Sequence, residues 1–266
     1  MNRPITHIAA VFVPVKDLLQ AVSWWSALLD LPIKDNPEGG GVYSLPVEGT
    51  GIILDPNQYG FPHLVMYDTT NIDEAYRFAK EREYEIFYEL QRYRHVAFFN
   101  MFDSGKNNGL MICQGDNEQI GRAPGETCPI RPVISRVFAH SGHVADSVRW
   151  YSDMLGAQPG SCTDNEEGCE IRLVQGAALQ LLDHRCNPIE PVRYEKLNAT
   201  VASYPMFELT TSDLDASRKW IRDRGGRIVR EDAEGAASRC FYFSDPDGNV
   251  NRVTERKGSV GHSLEA

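Results

Sequence analysis

Apolar positions along the chain switch between two periods, and the switching repeats. The run "HIAAVFVPV" (7–15) is apolar and β-branched, as a buried strand requires. Leu18, Val22, Trp25 and Leu29 then share one helical face. The same order returns in "PVISRVFAH" (132–140) followed by Val144, Val148, Tyr151 and Leu155. The two helical stretches, "AVSWWSALL" (Ala21–Leu29) and "SVRWYSDML" (Ser147–Leu155), coincide at Val22/Val148, Trp24/Trp150, Ser26/Ser152 and Leu29/Leu155. Gly156 stands where a helix C-cap wants a left-handed residue. A second pair of helices is predicted at "NIDEAYRFAKERE" (71–83) and "DLDASRKWIRDRG" (213–225), with Asn71 and Asp213 as N-caps. Strands are predicted before them at "HLVMYD" (63–68) and "MFELTT" (206–211). Others follow at "HVAFFNMF" (95–102) and "SRCFYFSD" (238–245), and then, past a Gly-containing turn, at "GLMIC" (109–113) and "NVNRVTE" (249–255).

Each half therefore reads strand, helix, strands, twice over, an internal repeat that sets the organisation. The expected division is a first domain over 1–116, a polar Gly/Pro-rich linker over 117–132, a second domain over 133–256 and a loose tail over 257–266. Composition narrows function by exclusion. A formal net charge of −10 argues against non-specific binding to nucleic acid or anionic membrane. No apolar run is long enough to span a bilayer, and the N-terminus lacks a signal-peptide pattern, so a cytoplasmic protein is expected. Cysteines at 113, 128, 162, 169, 186 and 240 form no C-x-x-C pair and are read as reduced thiols. No nucleophile elbow, phosphate-binding loop or dinucleotide fingerprint is present, and "EGGGV" (38–42) reads as a flexible loop.

The repeated helix, with "SVRWYSDMLG" in the second half, and the "SDPDGN" turn before the last strand resemble the vicinal-oxygen-chelate superfamily over about residues 5–255. That group includes glyoxalase I, extradiol dioxygenases and fosfomycin- and bleomycin-resistance proteins. The resemblance implies an α+β fold of four βαβββ units in two tandem glyoxalase-like domains. Each pair of units would form a curled mixed sheet, or cup, with helices outside. In metal-dependent members, His, Gln or Glu on first and last strands hold a divalent ion that polarises two substrate oxygens.

Transferred to this chain, the second-half metal slots fall on Arg252, Arg136, Gln180 and Met206. Guanidinium has no lone pair for a cation, so these do not form a hard-metal site. The first-half slots fall on Ala10, Ile53, His63 and Gly109, where His63, with Asp55 near it, is the weak metal candidate. His140 and His143 straddle a strand end, and His184 reads as loop surface.

Alternation along the second-half strands places Arg136, Phe138, His140, Gln180, Leu182, Met206, Glu208, Thr210, Val250, Arg252 and Thr254 on the cup side. Arg136, Phe138, His140, Gln180, Met206, Glu208 and Arg252 are the expected ligand-binding set. Glu208 and His140 are the weak candidates for a general base, and an Arg252–Glu208 ion pair is the bland alternative. The first-half cup reads as Ala10, Phe12, Pro14, Ile53, Val65, Tyr67 and Gly109, suited to an apolar or aromatic ligand or to packing. The expected function is a metal-independent small-molecule binder of bleomycin-resistance type; the alternatives are a metal-dependent lyase, isomerase or dioxygenase and a non-catalytic scaffold or regulatory protein. No cofactor is expected, with a divalent metal as the alternative. The expected partner is a small molecule, with a monomer or homodimer both feasible.

Overall fold

The computed structural model describes residues 5–34, 41–61, 64–115, 128–162, 168–183, 192–194, 199–201, 205–231 and 239–256. The first half runs β1 (Ile5–Pro14), α1 (Leu18–Leu29), β2 (Tyr43–Leu45), β3 (Gly51–Asp55), then β4 (Leu64–Thr69), α2 (Ile72–Glu81), β5 (Ile86–Arg92), β6 (Val96–Phe102) and β7 (Gly109–Gly115). The second half opens with β8 (Ile130–Ser141), α3 (Val144–Leu155), β9 (Pro159–Cys162), β10 (Cys169–Ile171) and β11 (Ala178–Asp183). A hairpin, β12 (Val192–Tyr194) with β13 (Ala199–Val201), precedes β14 (Phe207–Thr211), α4 (Leu214–Asp223), β15 (Arg227–Glu231), β16 (Cys240–Ser244) and β17 (Val250–Glu255). Strand β8 begins inside the span expected to be linker, because Ile130 is fully buried and Thr211 pairs with it across the sheet.

The halves build one sheet each, in the order β2-β3-β1-β4-β7-β6-β5 and β15-β16-β17-β14-β8-β11-β10-β9. In both, the first strands of the two units meet antiparallel at the centre (β1 with β4, β8 with β14). This settles how units pair: each half completes its own curled mixed sheet, and the fold is α+β with tandem glyoxalase-like domains. The helices form where their periodicity places them. Asp17, Asn71 and Asp213 cap α1, α2 and α4 through their side chains, and Gly156 closes α3 at φ 64°.

The helix-facing sides of both sheets share one continuous apolar core, which includes Val11, Val65, Tyr67 and Phe99 from the first half and Val137, Leu179, Phe207 and Val253 from the second. Trp25 on α1 reaches across, its ring centroid 5.9 Å from Phe207 and 6.5 Å from Phe243. The other helical tryptophans also pack between halves: Trp24 Nε1 donates to the Arg224 carbonyl at 2.7 Å and Trp220 Nε1 to the Leu28 carbonyl at 2.8 Å. Trp150 packs at a tilt against Tyr84, ring centroids 4.9 Å apart.

Two equivalent turns complete the joint. Asp103 accepts from the Asn107 and Asn108 amides, and Asn108 Nδ2 donates to the His140 carbonyl at 2.9 Å while its Oδ1 accepts the His140 amide at 3.0 Å. In "SDPDGN", Asp245 accepts from the Asp247 and Asn249 amides, and Asn249 Nδ2 donates to the Pro14 carbonyl at 2.8 Å. Gly248 carries φ 93°, which a residue with a Cβ resists, so the turn needs glycine there.

Cys113, Cys128 and Cys240 are not disulfide-bonded, but Cys169 is, contrary to the expectation of reduced cysteines throughout. The β9–β10 hairpin, whose register sets Cys169 against Cys162, is tertiary information that the spacing in sequence lacks. The cysteines therefore no longer argue for a reducing compartment. Among the described residues, no helix is long and apolar enough to cross a membrane.

Candidate functional site: two cups with different centres

On the face of the second sheet turned away from the helices, registration lines up Arg230, Tyr242, Arg252, Glu208 and Arg136 in one cross-strand row. Glu208, fully buried, is the hub. Arg136 Nη1 donates to its Oε1 at 2.6 Å, and Arg252 Nε donates to its Oε2 at 2.8 Å, with Nη2 2.6 Å away in the same ion pair. The Ser135 and Thr254 hydroxyls donate to the same carboxylate at 2.6 and 2.7 Å. Arg136 Nε donates to Glu170 at 2.8 Å, and the Arg252 guanidinium lies 4.7 Å from the Phe138 ring centroid. Arg230 covers Tyr242 in the same way at 5.3 Å.

Burial opposes ionisation of Glu208, yet Arg252 and Arg136, with the two hydroxyls, outweigh it and lower its pKa to about 2. Arg252 and Arg136 are in turn raised: burial works against their charge, and Glu208 more than offsets it. A carboxylate held this firmly in its charged form is a poor proton acceptor, which removes Glu208 as a general base. The alternative ion pair is therefore present, extended through Arg136 to Glu170 and Arg172.

Of the remaining expected residues, Phe138 and Gln180 lie on this face, opposite each other in register. Met206 does not: it precedes β14 and packs into the shared core, because the strand starts one residue later than its sequence run. His140 is buried at the joint, where Nε2 donates to the Pro205 carbonyl at 3.1 Å. Tyr242, Arg230 and Glu170 were missed by sequence reasoning. The parity of "CFYFS" and "RIVRE" carries the first two; Glu170 sits on a three-residue strand too short for any periodicity.

The matching centre of the first sheet is Ala10, Met66 and Met111 in register. This corrects the expected slots there. Val65 and Tyr67 face the core, and the cup side carries Leu64 and Met66 instead. The strand is apolar on both faces, and bulges in the β1–β4 pairing shift the register, so alternation alone cannot choose the side. Asp55 spends Oδ1 on the Asn57 amide and side chain, capping a short 3-10 turn. His63 and His184 lie outside the described residues.

Metal-dependent members of this fold would need hard or borderline donors at these centres. Arg–Glu–Arg with a fully engaged carboxylate, and Ala–Met–Met, do not fit a divalent metal. Among the described residues, no cluster of three His, Cys, Asp or Glu side chains is present.

The tandem pair of curled sheets with helices on their convex sides is a glyoxalase-like fold. Residues 134–253 match the family model of the Glyoxalase/Bleomycin resistance protein/Dioxygenase superfamily. No curated protein matches the chain. Among solved structures, a Mn(II)-bound glyoxalase from Novosphingobium aromaticivorans aligns with a TM-score of 0.62 at 14% identity, covering 96% of this chain and 83% of that one. A catechol 2,3-dioxygenase aligns at 0.60 and 13% identity, over 95% of this chain and 88% of its own. A mutant of 4-hydroxymandelate synthase from Streptomyces coelicolor aligns at 0.61 and 12%, over 97% and 94%. At these identities the likeness is one of fold.

Proposed function

We propose that this protein binds a small carboxylate-bearing molecule in the second cup without a metal at its centre. The observation that carries the reading is the row itself. Arg136, Arg172, Arg230 and Arg252 on or beside the cup outnumber Glu170 and Glu208, in a chain that is acidic as a whole. Arg136 is only part-buried, and its Nη2 donates to no described residue, which leaves a planar donor group for a ligand carboxylate. The ring faces of Tyr242 and Phe138 supply apolar area of the kind ligand pockets use.

Benzoate is the first probe. Calorimetry should show saturable binding that weakens roughly tenfold or more in Arg136→Leu, the size of a lost charge-assisted hydrogen bond. Elemental analysis after loading with Zn, Mn, Ni, Co and Fe(II) should find no stoichiometric metal in the second cup. Metal that is released by Glu208→Gln would overturn the reading and restore the lyase and dioxygenase alternatives. Benzoate binding that ignores Arg136 would also overturn it.

A further inference from the structure

The internal repeat yields two copies of one corner, where the first helix of one half meets the turn after the second helix of the other, and the copies differ. At the copy on α3 each charged group is matched within the protein. Arg82 Nε donates to Asp153 Oδ2 at 2.8 Å, and its guanidinium lies 3.9 Å from the Phe78 ring centroid. The Tyr84 ring packs on Trp150, and the Tyr84 hydroxyl reaches Asp153 Oδ2 at 3.5 Å. Arg149 pairs with Asp146 one turn earlier.

The copy on α1 keeps the cation and lacks what covers it. Arg224 stands in the place of Arg82, its guanidinium 3.2 Å from the Trp220 ring centroid, and Trp24 stands in that of Trp150. Ala27 replaces Asp153, and Gly226 replaces Tyr84. The backbone confirms the equivalence: the Tyr84 amide donates to the Ala79 carbonyl and the Gly226 amide to the Ile221 carbonyl, each at 3.0 Å. A Cβ on Gly226 would lie 3.2 Å from Trp24 Cζ2 and 2.5 Å from Ile221 Cγ2, so no ring grows from this position without displacing Ile221. An open groove of about 530 Å³ results, lined by Leu19, Gln20, Ser23, Trp24, Ala27 and Arg224. Leu19 is exposed there although it is large and apolar. Arg224 Nε donates to the Ala27 carbonyl at 3.0 Å and Nη1 to the Trp220 carbonyl at 3.3 Å, which fixes the guanidinium plane, yet Arg224 forms no ion pair with any described residue. A planar cation held in place without its acid is a receptor for a carboxylate, and Trp24 and Leu19 supply apolar area beside it.

We infer that this groove is a binding site for a small arylalkyl carboxylate, an aromatic ring joined to its acid by a short link. The ring lies against Trp24 and Leu19, as the Tyr84 ring lies against Trp150 in the other copy, and the carboxylate pairs with Arg224, as Asp153 pairs with Arg82. The groove is on the helix side of the sheets, away from both cups. The inference does not rest on the proposed site in the second cup and stands if that reading fails.

The test titrates phenylacetate and 2-phenylethanol into the whole chain labelled with ¹⁵N at its indole nitrogens. Of the four tryptophans, Trp24 and Trp220 should show shifts that saturate with phenylacetate, and Trp150, whose corner is filled, should show none. 2-Phenylethanol should bind roughly fivefold or more weakly, the size of a well-oriented, half-exposed ion pair. Ala27→Asp, which gives Arg224 the acid that Arg82 already has, should weaken phenylacetate by a similar factor. Ala27→Asn, of the same size and uncharged, should not. Arg136→Leu should leave the Trp24 shift unchanged, which separates this groove from the second cup. No saturable shift at Trp24 overturns the inference, as do equal affinity for 2-phenylethanol, undiminished binding in Ala27→Asp, or a loss in Ala27→Asn as large as in Ala27→Asp. The first two outcomes are read on the unaltered protein, and Ala27 is exposed on α1, so its replacements leave the core untouched.

Discussion

Glu208 shows how one residue can decide what a site is. The carboxylate is fully buried, and four hydrogen bonds from four side chains converge on it. Removing its charge leaves two guanidiniums facing each other in a desolvated place. Glu208→Gln is expected to cost about 3–5 kcal/mol in urea unfolding at neutral pH, the usual penalty for breaking a buried pair from one side. Its pH signature has a definite direction. The folded pKa is depressed to about 2 from an ordinary 4.5, so the stabilisation is present above pH 4.5 and is lost as pH falls towards 2. The variant should lack that acid limb; an unchanged acid limb in Glu208→Gln would assign it to other carboxylates. Arg252 is the residue the sequence made most telling, since a guanidinium in the last strand already excluded a metal ligand at that position. What it paired with depended on register.

At the scale of elements, the two Asp–Asn turns matter most. Each lies in one half and hydrogen-bonds the first strand of the other, through Asn108 to His140 and through Asn249 to Pro14. Burial raises Asp245 to about 7, against the Asn249 donors that favour its charge, and Asp103 is raised for the same reason. A raised carboxyl stabilises fully below its unfolded value of 3.8, and that stability is lost as pH rises through about 7. Stability should therefore fall between about pH 4 and 7, and Asp245→Asn should shallow the fall when urea midpoints are compared across that window. An identical slope in the variant would place the titration elsewhere. The turn was legible from "SDPDGN", and its N-cap counterparts Asn71 and Asp213 were legible too, because capping is a local matter. The bond to Pro14, 235 residues away, was not.

For the whole molecule, the repeat suggested two domains, but the core does not divide between them. Trp25 of the first half packs on Phe207 and Phe243 of the second, and one apolar cluster runs through both. The chain is expected to unfold in a single transition, with tryptophan fluorescence and far-UV circular dichroism coincident in urea. Residues 1–116 and 133–256 produced separately should not fold, since each would expose its half of that core. A plateau between two transitions would instead mean that the halves are independent.

Local patterns determined the element order, three of the helix caps and C-caps named in advance, and the absence of ligand-type side chains at most metal slots, because periodicity, capping and side-chain chemistry are properties of short stretches. In the second half, polar residues on one strand face marked the cup side, so Arg136, Glu208 and Arg252 could be placed together from sequence. In the first half, β4 is apolar on both faces, and the parity came out reversed until pairing with β1 and β7 fixed Met66 and Met111 at the centre. Tertiary structure alone decided which units share a sheet, which guanidinium meets which carboxylate, that Cys169 is oxidised, and that two repeats share one core. Each of these depends on residues far apart in the chain, and no local periodicity encodes their distance.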